Sequence, residues 1–139
     1  KYGVDRSQFN NIKNGADGVD ASGRTVPNRK LTLDPPEPKS YAFCSDTMYN
    51  ETVVPIIQDV TVLYHESTFL ESEAHLCEKT KHSTAMQAAQ IAQGANAKLL
   101  ILGHYSTRYK SIRLFKEEAE TIFTPVDLAD DGKVFDFGD

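Results

Sequence analysis

Two short apolar runs, Val60-Thr61-Val62-Leu63-Tyr64 and Leu99-Leu100-Ile101-Leu102, flank an alanine-rich stretch that opens on Thr84-Ala85-Met86-Gln87. The first run is rich in β-branched residues, and the second is apolar on both faces, as a strand covered on both sides should be. Thr84 and Gln87 have the spacing of a capping box, and Ala85, Ala88, Ala89 and Ala92 recur at helical intervals. Strand, crossover helix, strand restricts the chain to an α/β layout with helices packed on a sheet. Gly94 is placed to end the helix.

Flanking segments extend the pattern. Ser40-Tyr41-Ala42-Phe43-Cys44 reads as a further buried strand that ends at Ser45-Asp46-Thr47. Asn50 to Gln58 reads as helix, with Pro55 tolerable near its first turn or as a kink. A helix over about Ser111 to Ile122 buries Ile112, Phe115, Ala119 and Ile122. Val126 to Phe137, centred on Asp131-Gly132, reads as a β-hairpin. Residues 1–38 are polar and broken by Asn14-Gly15, Asp17-Gly18, Ser22-Gly23 and a proline cluster at Asp34-Pro35-Pro36-Glu37-Pro38. They read as an extended polar loop region with short strands near Val26 and Leu31–Leu33. The expectation for residues 1–139 is one partial domain whose sheet needs a second layer on its bare side.

Composition narrows the function. The net charge of −5 speaks against a dedicated nucleic-acid module, although an RNA-processing enzyme needs positive potential only in its groove. Arg108, Lys110, Arg113 and Lys116 form one local basic cluster. No apolar run approaches the roughly 20 residues that cross a bilayer, so no membrane partner is expected. Cys44 and Cys77 lack metal-knuckle spacing, and without a secretory signal they read as reduced thiols of a cytoplasmic protein. The absence of an initiator Met suggests a chain that begins inside a longer gene product.

Four polar clusters fall at element boundaries, where backbone ends can aim side chains into one cleft. Asp46 follows a strand and can present a carboxylate to cations; the alternative is a helix N-cap by Ser45, Asp46 or Thr47. His65 and Glu66 end a strand, where the carboxylate can hold a second histidine, or both can serve backbone groups of a loop. His82 precedes the alanine-rich helix, whose free amides, with the Ser83 and Thr84 hydroxyls, could take a phosphate. A histidine there could protonate a departing oxygen, and the alternative is plain capping beside a solvated imidazole. His104, after the stiff Leu99–Leu102 run and Gly103, suits a metal ligand or a satisfied boundary histidine. His75 has no motif around it and reads as surface.

Together these segments carry a resemblance. In order, His65-Glu66-Ser67-Thr68-Phe69, His82-Ser83-Thr84-Ala85 and Gly103-His104-Tyr105-Ser106-Thr107-Arg108-Tyr109 are similar to the C-terminal half of the ribonuclease Z family, within the metallo-β-lactamase superfamily. The stretch covered is about Tyr41 to Phe137, and Phe9-Asn10-Asn11-Ile12-Lys13-Asn14-Gly15 resembles the family's lysine-containing loop. The resemblance implies half of an αββα sandwich, with a mixed sheet, flanking helices and a C-terminal hairpin.

It also implies a zinc-dependent endoribonuclease that removes the 3′ trailer of precursor tRNA. In that reading Asp46 bridges two zinc ions, His104 is the last histidine ligand, and His82 is the proton donor, with Glu66 and His65 in the supporting loop. Arg108 and Lys13, with Ser83 and Thr84, would contact RNA. Ser67 stands where the family usually has alanine. The superfamily's His-x-His-x-Asp-His motif has no match in the chain. The expected partners are therefore the missing N-terminal half of the domain, a second copy in a homodimer, and precursor tRNA, with the fragment inactive alone. Zinc against manganese stays open. Two other readings remain: a metallo-β-lactamase-fold hydrolase of small esters, and a non-catalytic interaction fragment that dimerises through its bare sheet.

Overall fold

A computed structural model describes residues 2–136. The chain forms two compact units, Lys1–Pro38 and Lys39–Asp139.

The first unit is more ordered than an extended loop. Asp5 accepts from the Ser7 amide and caps a 3-10 turn, Arg6–Gln8, that runs into helix α1, Phe9–Lys13. Strands β1, Gly18–Val19, and β2, Thr25–Val26, pair antiparallel. Side chains do the work that a larger core would do elsewhere. The Gln8 amide donates to Val19 O and accepts from Val19 N, and Asn28 Nδ2 donates to the carbonyls of Ile12 and Ala16. Ile12 and Val26 are buried, and a Cβ on Gly18 would lie 2.6 Å from Leu31 Cδ1, so a larger residue there would have to displace the Leu31 side chain. The expected strand near Val26 forms. Leu31–Leu33 is not a strand, because the 3-10 turn Asn28–Lys30 curls the chain just before it.

The second unit is built on four parallel strands in the order β3-β4-β5-β6: Tyr41–Cys44, Val62–Glu66, Leu100–Gly103 and Val126–Leu128. Parallel neighbours require crossovers. These are a 3-10 helix, Glu51–Ile56; a 3-10 turn, Glu71–Leu76, leading into the short helix α2, Cys77–Thr80; helix α3, Ala85–Gly94; and helix α4, Arg113–Ala119. The α/β expectation of half a sandwich is met. The hairpin is not formed among the described residues: its first arm joins β5 as a parallel edge strand, and Lys133 N bonds back to Asp130 O in a turn without a second arm. Phe137 lies outside the described residues.

Helix α3 starts as its sequence demands. Thr84 Oγ1 accepts from Gln87 N, and Gln87 Oε1 accepts from Thr84 N. It ends two residues later than glycine placement suggests. Asn96, at φ 51°, takes the left-handed position, with Ala97 N bonded to Ala92 O and Asn96 N to Gln93 O. That double closure is a Schellman motif, and Gly94 stays inside the helix.

The alanine face lets α3 lie close on Leu63, Leu100 and Leu102, with Phe115 and Ala119 of α4 completing the core. Each fully buried Leu or Phe contributes about 1.5–3 kcal/mol. The opposite sheet face carries Tyr41 and Phe43, which are 53% and 63% exposed, and Phe43 stacks on Tyr64 at 4.7 Å. These rings, with Ile101, Ala129 and Phe135, line a shallow cavity of about 360 Å³. No helix among the described residues is long and apolar enough to cross a membrane.

Candidate active site

Register makes the site. Cys44 pairs with His65 and Glu66 with Gly103, so the carboxyl ends of β3, β4 and β5 finish side by side. In open α/β sheets, ligands bind at such ends. Asp46 lies two residues beyond β3, Glu66 ends β4, and His104 follows β5.

Asp46 and His104 both have left-handed backbones, at φ 49° and 59°. Such a conformation costs an L-residue roughly 1–2 kcal/mol. Two strained residues in one place point to function rather than accident. Their side chains meet: His104 Nε2 is 3.3 Å from Asp46 Oδ1. The His82 ring lies 5.0 Å from that of His104, centre to centre. One ligand-capable atom from each of Asp46, His82 and His104 falls within 4.8 Å of the others, a donor set suited to a metal ion. Asp46 caps no helix, because Asn50 takes that role by accepting from Thr52 N.

Behind this open rim sits a dry, fully committed carboxylate. Glu66 is completely buried. Its Oε1 accepts from Thr47 N at 3.1 Å and His82 Nδ1 at 2.7 Å. Its Oε2 accepts from Thr68 N at 3.1 Å, Thr68 Oγ1 at 2.9 Å and Ser83 N at 3.2 Å. An ionised carboxylate can only accept, so the shared proton with His82 sits on Nδ1. The other ring nitrogen is left for the cleft, from which His82 is 22% exposed.

His65 is buried on the core side of β4 and bonds through Nδ1 to the carbonyl oxygen of Glu66 at 2.7 Å. Burial holds its pKa below the ordinary histidine value, which suits a neutral structural imidazole. Ser67, the departure from alanine, donates its buried hydroxyl to Gly103 O at 3.2 Å.

Ser83 and Thr84 do not face a ligand. Both are fully buried, the Ser83 hydroxyl donates to Thr47 O at 2.6 Å, and the Thr84 hydroxyl donates to Glu71 at 2.9 Å. The amides of Ala85 and Met86 are likewise taken, by Phe69 O and Glu118 Oε1. The expected phosphate seat at this helix end is therefore filled by the protein itself. Arg108 lies over the Phe69 ring at 5.1 Å and pairs with Glu73 at 3.3 Å, about half exposed. Lys13 belongs to the first unit, at the end of α1. His75 is exposed, as expected of a surface residue.

Sequence reasoning missed Thr68 and Tyr64. Thr68 stands in the quoted motif with no role given, yet its hydroxyl touches both Glu66 and His104. Tyr64 lies flat against Gly103, so that a Cβ there would come within 2.7 Å of the ring and closer still to its hydroxyl. The alternation of β4 could have placed Tyr64 and Glu66 on one face.

No protein-family model matches the chain. Curated relatives do. It is 45% identical over 131 residues to ribonuclease Z of Parabacteroides distasonis, and 44% identical over 130 residues to that of Porphyromonas gingivalis. Each match covers 94% of this chain and 43% of the relative, so the chain spans about two-fifths of their length. Among solved structures, the metallo-β-lactamase fold protein YhfI from Bacillus subtilis matches 69% of the chain with a TM-score of 0.64 at 24% identity. A long form RNase Z from yeast matches 70% with a TM-score of 0.62 at 25% identity. The resemblance read from the three histidine segments holds along nearly the whole chain: its sequence is similar to part of the ribonuclease Z relatives, and its fold is similar to that of metallo-β-lactamase fold proteins.

Proposed function

We propose that this chain supplies one part of a zinc-dependent endoribonuclease site that cuts the 3′ trailer from precursor tRNA. The observation that carries the reading is the convergence of Asp46, His82 and His104 at the strand ends, backed by buried Glu66. Asp46 and His104 would hold the metal, their carboxylate and imidazole being ordinary zinc donors. A bound metal supplies hydroxide near neutral pH and stabilises charge on phosphoryl oxygens. A zinc centre wants three or four ligands; with His82 kept for proton transfer, the remaining donors would come from outside this chain. The aromatic face of Tyr41, Phe43 and Tyr64 is where the rest of the domain would pack.

His82, in the same cluster, takes a different role. With Nδ1–H fixed on Glu66, His82 would act in its doubly protonated form, the imidazolium paired with that carboxylate. Its Nε2 gives a proton to the departing ribose 3′ oxygen, leaving a neutral ring with its proton on Nδ1, and the 5′ phosphate stays on the trailer. Arg108 and Lys13 would contact the RNA backbone; Arg108 must exchange its exposed pair with Glu73 for phosphate, a small loss for a surface ion pair. A cytoplasmic homodimer is the expected assembly.

The test is cleavage of a 3′-extended precursor tRNA by this chain with zinc, alone and mixed with the remaining portion of a ribonuclease Z. Cleavage only in the mixture supports the reading. A folded mixture that leaves tRNA intact but hydrolyses small phosphate esters moves the assignment to another metallohydrolase. In the active mixture His82→Ala should slow turnover about 10²-fold or more while zinc binding persists. Unchanged turnover would remove His82 from the chemistry.

A further inference from the structure

The Thr68 hydroxyl lies between two groups that both make demands on it. Glu66 Oε2 is 2.9 Å away, His104 Nδ1 is 2.8 Å away and the His104 carbonyl oxygen is 3.1 Å away. A hydroxyl carries one proton and can accept on its lone pairs. The buried carboxylate is the strongest of the three acceptors, because a charge-assisted bond outweighs a neutral one. Thr68 Oγ1–H therefore points at Glu66. At 2.8 Å the neighbouring ring nitrogen must then donate, so Nδ1 of His104 carries the proton. That leaves the lone pair of neutral His104 on Nε2, the atom that faces Asp46 at 3.3 Å.

We propose that Thr68 is a positioning residue: its hydroxyl relays the Glu66 carboxylate to His104 and fixes the tautomer that presents Nε2 to a cation. Glu66 then orients both cleft histidines, His82 directly and His104 through Thr68. The inference rests on the reading of His104 as a metal ligand, and it deepens that reading. Groups that take the second nitrogen of a metal-binding histidine commonly govern affinity 10–100-fold.

The experiment is long-range ¹H–¹⁵N NMR of the imidazoles in the metal-free, ¹⁵N-labelled chain, followed by titration with Zn²⁺ alone. In the parent chain His104 should show a protonated, pyrrole-type Nδ1 whatever the state of Nε2, which faces the Asp46 carboxylate at 3.3 Å until Zn²⁺ takes its lone pair. Thr68→Val keeps the shape, removes the hydroxyl, and should release His104 into a tautomer mixture. It should also weaken Zn²⁺ binding at the His104 resonances by about tenfold or more. Thr68→Ser restores the hydroxyl and should restore both readouts, which a purely packing role would not do. An Nε2–H tautomer in the parent chain overturns the proposal, and that reading needs no variant to fold. An unchanged tautomer in folded Thr68→Val overturns it equally. The tautomer is read without RNA or metal, so failure of tRNA cleavage leaves this result standing, and the reverse holds too.

Discussion

Glu66→Gln is the most searching perturbation of this site, because it keeps the shape and changes one oxygen into a donor. Five hydrogen bonds converge on the carboxylate, two at Oε1 and three at Oε2. A glutamine can put its NH₂ at either place. At Oε2 it would face Thr68 N, Ser83 N and the Thr68 hydroxyl, opposing two backbone donors that cannot turn away. At Oε1 it faces Thr47 N and His82 Nδ1, and the histidine can respond by moving its proton to the other nitrogen. The second placement wins, leaving one orphaned amide, at about 1–3 kcal/mol. The bonds retained at Oε2 lose their charge assistance, roughly 1 kcal/mol each. Relief from burying a charge offsets part of this. The net loss should be about 2–4 kcal/mol, the range for a broken buried network. Urea unfolding of parent and variant reads the loss as a lower midpoint. At a slope of roughly 1–3 kcal/mol/M for small proteins, the midpoint should fall by about 1–3 M. Imidazole NMR should show the His82 proton moved off Nδ1, and amide exchange at Thr47 should quicken. A stability change under about 0.5 kcal/mol, within the noise of neutral surface changes, would refute the reasoning if the His82 tautomer is also unchanged.

Three further outcomes follow from neighbouring residues. The folded-state pKa of His65 lies below the ordinary 6.5, so between the two values the unfolded chain binds a proton that the folded chain refuses. Its contribution is complete above about pH 6.5 and is lost as pH falls toward the folded value; His65→Gln should flatten that decline in thermal unfolding, and identical pH slopes would count against it. Glu118, raised by its own burial, works in the opposite sense within the carboxylate range and is untouched by this change. Gly103→Ala should cost about 1–3 kcal/mol by driving the Tyr64 ring from its place, and Tyr64→Ala should recover most of that in the double variant; strictly additive losses would mean the two do not compete for the same space. Asp46→Ala should cost at most about 1 kcal/mol, the penalty for alanine at the left-handed φ of 49°, while Zn²⁺ affinity measured by calorimetry falls at least about tenfold; full retention would remove Asp46 from the metal site.

The sequence is legible where a local rule and the tertiary fold agree. β4 and β5 announce themselves by β-branched and leucine runs, and Thr84-Ala85-Met86-Gln87 forms its capping box because both partners lie within one turn. The strand-end positions of Asp46, Glu66 and His104 follow from those elements. It misleads where two local rules compete. Gly94 offers a stop, yet it stays within the helix, and Asn96 takes the left-handed closing position two residues on. Asp131-Gly132 makes a turn, as Gly132 at φ 79° shows, but β5 offers a parallel edge that β6 takes instead of a hairpin arm. Asn50 to Gln58 holds as a tighter 3-10 helix, Glu51–Ile56, with Pro55 inside it and unable to donate to an α-helical ladder. Ser83 and Thr84 look like solvated hydroxyls in the sequence, and only the approach of Thr47 and Glu71 from distant segments shows them spent. The first unit is the extreme case. Its order comes from Gln8 reaching Val19 and Asn28 reaching Ile12 and Ala16, pairings that no periodicity encodes.

The division of labour between Glu66 and the cleft has a physical logic. The proposed metal ligands and proton donor must be reachable, and Asp46, His104 and His82 keep 72%, 41% and 22% of their side chains exposed. Exposure alone leaves imidazoles free to rotate and to exchange tautomers, which a catalytic geometry cannot tolerate. The chain resolves the conflict by sinking the organising charge one layer down, where Glu66 is dry and its bonds are strong. Three of the five donors to it are backbone amides, from Thr47, Thr68 and Ser83, which belong to the segments bearing Asp46, His104's partner and His82. One carboxylate thus fixes where these segments sit and which nitrogen each cleft histidine presents. It is also what makes the strained backbones at Asp46 and His104 sustainable: roughly 1–2 kcal/mol of strain at each is set against a network whose loss costs more. On that balance, relaxing Asp46 by substitution to glycine should stabilise the fold while loosening the metal site, the signature of a residue held in place for its chemistry.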